Sequence, residues 1–183
     1  MPLRYLLSAL ILLVFSACST MRVDSDYNPK FDFGKLHTFA VIRPERDGVN
    51  TLTQERIAAA LADAMRAKGY REVPKTKADF YVLFHTDVTN KRQVVTDYRS
   101  VGLYPYYGYG APMVVPVQRE YTYTEGKIIV DALDPSDKKI FWRGIAADTL
   151  KSLHTPEERM RYIRDVVAKV TASFPAARKQ SEH

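Results

Sequence analysis

Apolar positions along this chain recur with two different periods, and each predicts a different element. Ile57, Leu61 and Met65 stand four residues apart among Ala58, Ala59, Ala60, Ala62 and Ala64. A step of four keeps them on one stripe of a helix, and the alanines favour helix and let it lie close on a sheet. Thr51 and Gln54 have the spacing of a capping box at its start, and Gly69 stands where a C-terminal cap belongs. A second stripe, Met160, Ile163, Val167, Val170 and Phe174, steps by three and four. It follows Thr155 as N-cap, Pro156 at the first helical position and Glu158 at N3, and Pro175 ends it.

Between these helices the pattern is that of strands. Phe39 and Val41 lie in a short β-rich run closed by "RPERDG". In "ADFYVLFHTDV" both alternating sets are largely apolar, which predicts a strand buried on much of both faces. Residues 93–99 read as another strand. Residues 117–124 alternate strictly, with Val117, Arg119, Tyr121 and Tyr123 on one side. Glu125 and Gly126 then read as a hairpin turn, and residues 127–134 and 138–147 as two more strands joined by a turn that begins at Pro135. The order strand, helix, hairpin-linked strands, helix implies an α+β fold: a two-layer sandwich of a mainly antiparallel or mixed β-sheet with two helices packed on one face.

A further apolar run lies at the front. Tyr5 to Phe15 is almost wholly apolar behind Arg4, too short to span a bilayer core but suited to a signal peptide. Ser16 and Ala17 precede Cys18, the only cysteine. This resembles the lipobox of bacterial lipoproteins, with Phe15 where leucine is usual. The resemblance implies that the Cys18 sulfur takes a diacylglyceryl group before cleavage, and that Cys18 becomes the first residue. Several acyl chains such as palmitate anchor stably where one alone is marginal. Ser19 rather than aspartate follows, which in such systems implies the outer membrane, on its periplasmic face. The expected organisation is a lipoprotein signal peptide over residues 1–17, a lipid-anchored tether over 18–26, one α+β domain over 27–175 and a flexible tail over 176–183.

Charge adds little to this picture. The net charge of +6 falls to +5 when the leader takes Arg4 with it, and the basic residues are scattered. No nucleic-acid module is present in the sequence, and no nucleic-acid partner is expected. Hydrophobic residues at 46% and charged residues at 26% are those of a chain that builds a core.

Several short stretches together carry a family resemblance: "FDFGKLHTFA", "KGY" at 68–70, "ADFYV" at 78–82, "GKIIVDALD" at 126–134, "WRGIA" at 142–146 and a terminal helix closing in "FP". With the lipobox, they resemble the bacterial lipoproteins that carry the domain of unknown function DUF4136, over roughly residues 27–175. The resemblance implies an α+β domain on a lipid anchor and no established activity.

Candidate chemistry is sparse. No nucleophile, base and orienter assemble, so no catalytic residue is assigned and no enzyme is expected. His85 and Asp87 share a strand face but read as structural, and His37, His85, His154 and His183 lack metal-ligand spacing. Asp131, Asp134 and Asp137 surround a turn, where aspartate is common without calcium. No metal or cofactor is expected. Trp142, Arg143 and Gly144 read as a packed strand with a close backbone approach.

The segment from Val101 to Pro116 stands apart, with four tyrosines, three glycines and three prolines. Tyr104, Tyr106, Tyr107 and Tyr109 offer rigid amphipathic area suited to recognition. The functional expectation is a non-enzymatic outer-membrane lipoprotein held to the membrane through lipidated Cys18, an interaction module that meets an envelope protein through those tyrosines. The alternative is a periplasmic carrier or accessory protein holding a small apolar or lipid ligand between sheet and helices.

Overall fold

The computed structural model describes residues 21–43, 51–101 and 113–178. Its strands are β1 (Arg22–Tyr27), β2 (Thr38–Ile42), β3 (Arg71–Glu72), β4 (Phe80–Val101), β5 (Met113–Leu133) and β6 (Ile140–Thr149), and its helices are α1 (Thr51–Ala67) and α2 (Pro156–Val170). The strands form one mixed sheet in the order β1-β6-β5-β4-β2-β3. β2 runs parallel to β3 and β4, with α1 as the crossover, and β4, β5, β6 and β1 pair antiparallel. With both helices on one face, this is the α+β sandwich that the order of elements implies.

The core lies between the layers. Phe39, Phe80, Val82, Phe84, Val130 and Trp142 from the sheet are buried against Ile57, Leu61 and Met65 of α1 and Val167 and Val170 of α2. Each such side chain contributes about 1.5–3 kcal/mol on burial. Phe174, just past α2, sits edge-on to Trp142 at 5.1 Å and stacks on Phe80 at 5.7 Å, locking the end of the helix onto the sheet. α2 begins as its sequence requires: the Thr155 hydroxyl accepts from the Glu158 N–H, and the Glu158 carboxylate accepts from the Thr155 N–H. Met160, at the outer end of the expected stripe, is exposed.

Asp79 fixes the entry to the parallel pair. Its carboxylate accepts from the N–H groups of His37 and Thr38 at 3.0 and 2.8 Å, and its own N–H donates to the Thr38 hydroxyl at 3.1 Å. Burial alone would raise the Asp79 pKa, but these backbone donors outweigh it and hold the carboxyl below its ordinary value.

The elements differ from the sequence expectation in four places. The two strands expected at 78–88 and 93–99 are one, β4. Glu125 and Gly126 form no turn; they lie within β5, paired with Thr89 and Val88 on one side and with Thr149 and Asp148 on the other. Residues 22–26, expected in the tether, belong to β1, which pairs with β6 from Arg22↔Ala147 to Tyr27↔Trp142. Past Pro175 the chain stays docked, since the Ala177 N–H donates to the Lys68 carbonyl at 2.9 Å. No helix among the described residues is long and apolar enough to cross a membrane.

Candidate interaction arm and apolar groove

Two strands flank β4 and β5 in the sheet, and each does so only near one end. β2 pairs with β4 from Phe80 to Leu83, and β6 pairs with β5 from Glu125 to Leu133. β4 and β5 nevertheless pair with each other without a break from Tyr81↔Leu133 to Val101↔Met113. Residues 89–101 and 113–124 therefore leave the body as a two-stranded ribbon. At the rise of a strand it reaches about 40 Å. Both outer edges of the ribbon lack a neighbouring strand among the described residues.

Diagonal charge pairs across the ribbon, Arg92–Glu120 at 3.3 Å and Arg119–Asp97 at 3.5 Å, hold its register. Among otherwise mostly polar positions the ribbon exposes the large apolar side chains Val94, Val114, Tyr121 and Tyr98, the last 74% accessible. Tyr104, Tyr106, Tyr107 and Tyr109 lie outside the described residues, as does Cys18. The described strands bring the two ends of the tyrosine-rich segment together at the tip, where Val101 pairs with Met113.

The root of the ribbon is an ionic node. Glu125 is 5% exposed and accepts from Lys91 at 3.1 Å and from Arg22, which joins β5, β4 and β1. The Lys91 hydrogen bond and the two cations lower the Glu125 pKa below its ordinary value.

On the helix side of this root lies an apolar groove of about 340 Å³. The sheet makes it by residue size. Two rows across β4, β5 and β6 read Thr86, Ile128, Ala146 and Val88, Gly126, Asp148, where the rows farther in carry Phe84 and Trp142. Small residues in the outer rows, Thr86, Ala146 and Gly126, leave room under the start of α1 and the middle of α2. Ile57 of α1 and Ile163, Val166 and Val167 of α2 line the opposite wall. Leu150 lies across Gly126, and Met21 lines the groove ahead of β1. One polar feature is fixed at the wall: Tyr162 donates to Asp148 Oδ2 at 3.2 Å, and burial first, then that carboxylate, pushes its pKa up to about 12.

The other candidates from sequence resolve into structure. Asp131 is 2% exposed and receives two hydrogen bonds from Arg143, at 2.6 and 2.8 Å, and Asp134 and Asp137 are held by Ser136 and Lys139. Asp87 accepts from the Thr89 hydroxyl. Trp142 is buried over Gly144, as the packed-strand reading expects. Neither the groove nor the node was visible in sequence, because a turn assigned to Glu125 and Gly126 removes both residues from the sheet.

Known proteins with this architecture were found among solved structures. PelC from Paraburkholderia phytofirmans, solved as a dodecamer, superposes with a TM-score of 0.51 at 14% identity, covering 86% of this chain and 99% of its own. A PDZ domain protein from Parabacteroides distasonis gives a TM-score of 0.54 at 16% identity, covering 94% of this chain and 40% of its own. A DUF4136 family protein from Bacteroides thetaiotaomicron gives 0.45 at 14% identity, covering 85% of this chain and 95% of its own. For the first two, at these identities, the likeness is one of fold alone. No curated protein matches the sequence. The model of a domain of unknown function, DUF4136, matches residues 23–176, and the chain therefore belongs to the DUF4136 family.

Proposed function

We propose that this protein is a non-enzymatic, lipid-anchored component of the bacterial envelope, held at the periplasmic face of the outer membrane, that docks to another envelope protein through the β4–β5 ribbon. The observation that carries this reading is the ribbon itself. A two-stranded hairpin is marginal alone in water, and exposed strand edges invite pairing with another chain. A projection of this length with apolar side chains on show is costly to keep unless something covers it. The tyrosine-rich segment joins its far ends, in keeping with a recognition role for Tyr104, Tyr106, Tyr107 and Tyr109.

The test is photocrosslinking in living cells, with a photoreactive amino acid placed in turn at Val94, at Tyr98 and, as a body control, at Leu52 of α1. Discrete adducts from the two ribbon positions, absent from the control, support docking by the ribbon; adducts no different from the control would remove it. PelC is a dodecamer, so one adduct to look for is a second copy of this chain.

The apolar groove favours a second reading, that of a carrier for a small apolar or lipid ligand. Native mass spectrometry of protein extracted in mild detergent tests it. A bound ligand of defined mass supports the carrier, and a ligand-free protein argues against it.

A further inference from the structure

We infer that the groove between the sheet and the two helices holds an acyl chain of the protein's own lipidated Cys18. This inference rests on the lipid-anchor reading proposed above and assigns that anchor a second role. The argument begins with β1. Its register places Arg22 beside Ala147, so the chain entering β1 comes in across from Asp148, which lines the groove. The Arg22–Glu125 ion pair pins that entry to the root of the ribbon. Met21, the next residue back, is itself part of the groove wall.

Cys18 stands three residues before Met21. Three residues span at most about 10 Å even fully extended. The acyl groups on that sulfur therefore start within reach of an apolar cleft whose inner walls are Ile57, Ile128, Ala146 and Val167. Moving a methylene from water into such a cleft contributes about 0.8 kcal/mol, and a tethered chain meets it at high effective concentration. A lipidated cysteine has chains to spare, since two in the bilayer suffice for stable anchoring. With one chain lifted into the groove, the domain is held against the membrane at a fixed orientation instead of swinging on a tether.

The experiment uses the full-length protein made in cells fed a diazirine-bearing fatty acid, purified in mild detergent and irradiated. Intact mass first reports whether Cys18 carries lipid; an unmodified cysteine overturns the anchor reading and this inference with it. With lipid present, the expected product is a Cys18 peptide joined through its acyl chain to peptides containing residues 53–57, 86–88 or 162–167. A lipidated protein with no groove adduct overturns the inference and leaves the anchor standing. Groove peptides that carry an acyl chain without the Cys18 peptide also overturn it, and point to a ligand from elsewhere. Val88, exposed at the groove rim, provides the variant. Val88→Asp, with its circular dichroism unchanged, is expected to cut the groove adducts about tenfold or more, as a 1.4 kcal/mol penalty would, whereas Val88→Ile retains them. Equal yields from Val88→Asp and the parent would place the chain outside the groove.

Discussion

A β-carbon built on Gly144 would stand 2.5 Å from Trp142 Cη2 and 2.8 Å from the Val170 carbonyl oxygen. One of those neighbours is a buried indole wedged against Phe174 and the other is backbone, so neither can yield cheaply. Gly144→Ala should therefore destabilise the fold by about 1–3 kcal/mol, as overpacking does, and a urea titration of Trp142 fluorescence reads it directly. An unchanged midpoint would mean that α2 can shift away from β6. Asp131 and Arg143 make a second case. The carboxylate is buried, while the guanidinium that grips it is 44% exposed. Arg143→Ala strands a buried charge, so in a double-mutant cycle with Asp131→Ala the pair should couple favourably by about 1–3 kcal/mol. A coupling near zero would show that water replaces the arginine.

At the scale of elements, the long strands separate into two parts with different duties. No described residue of the segment from 89 to 124 belongs to the buried core. Replacing residues 91–123 with Asn-Gly, a two-residue turn suited to joining the paired Asn90 and Thr124, should leave the melting temperature within a few degrees while abolishing co-purification of the partner that crosslinks from Val94 and Tyr98 identify. A collapse of the melting transition would make the ribbon part of the folding unit, with the Lys91–Glu125 contact as the first suspect. The helices were legible because caps and periodic stripes are local signals: Thr155 and Glu158 form the box that their spacing implies. The ribbon was not legible, because "TEG" reads locally as a turn and only pairing with β4 and β6 keeps it extended. β1 was hidden for a related reason. "RVDSDY" is exposed throughout, so an edge strand there leaves no alternation of buried and exposed positions to detect. The groove followed the ribbon into obscurity, since Gly126 and Asp148, like Ile128 and Ala146, are neighbours in register and not in sequence.

The whole molecule combines these parts into a stability profile with two opposed limits in pH. On the acid side, Glu125, Asp79 and Glu158 have folded pKa values below their ordinary ones, held there by Lys91 and by backbone N–H donors. Their contribution is complete above the ordinary carboxylate values, 4.5 for the glutamates and 3.8 for Asp79, and is lost as pH falls below them. On the alkaline side, burial pushes Tyr70 and Tyr162 up to about 12 from an ordinary 10.0. Between those values the unfolded chain has released protons that the folded chain still holds, so stability is complete below pH 10 and declines as pH rises toward 12. Lys68 works against this decline. Burial lowers its pKa, so ionisation costs less in the unfolded chain, and that cost to the fold fades as pH rises toward 10.5. The two tyrosines outweigh it above pH 10.5, where lysine is neutral in both states. Urea unfolding at a series of pH values should thus show a plateau falling away below about pH 4.5 and above pH 10. Phenolate absorbance of the folded protein should show Tyr70 and Tyr162 titrating late, the one step lost in Tyr70→Phe and the other in Tyr162→Phe. Each variant should also flatten the alkaline limb. A limb equally steep in Tyr70→Phe would trace the loss to other groups, and an unaltered limb in Tyr162→Phe would mean that the groove wall is wet enough to ionise its tyrosine without unfolding.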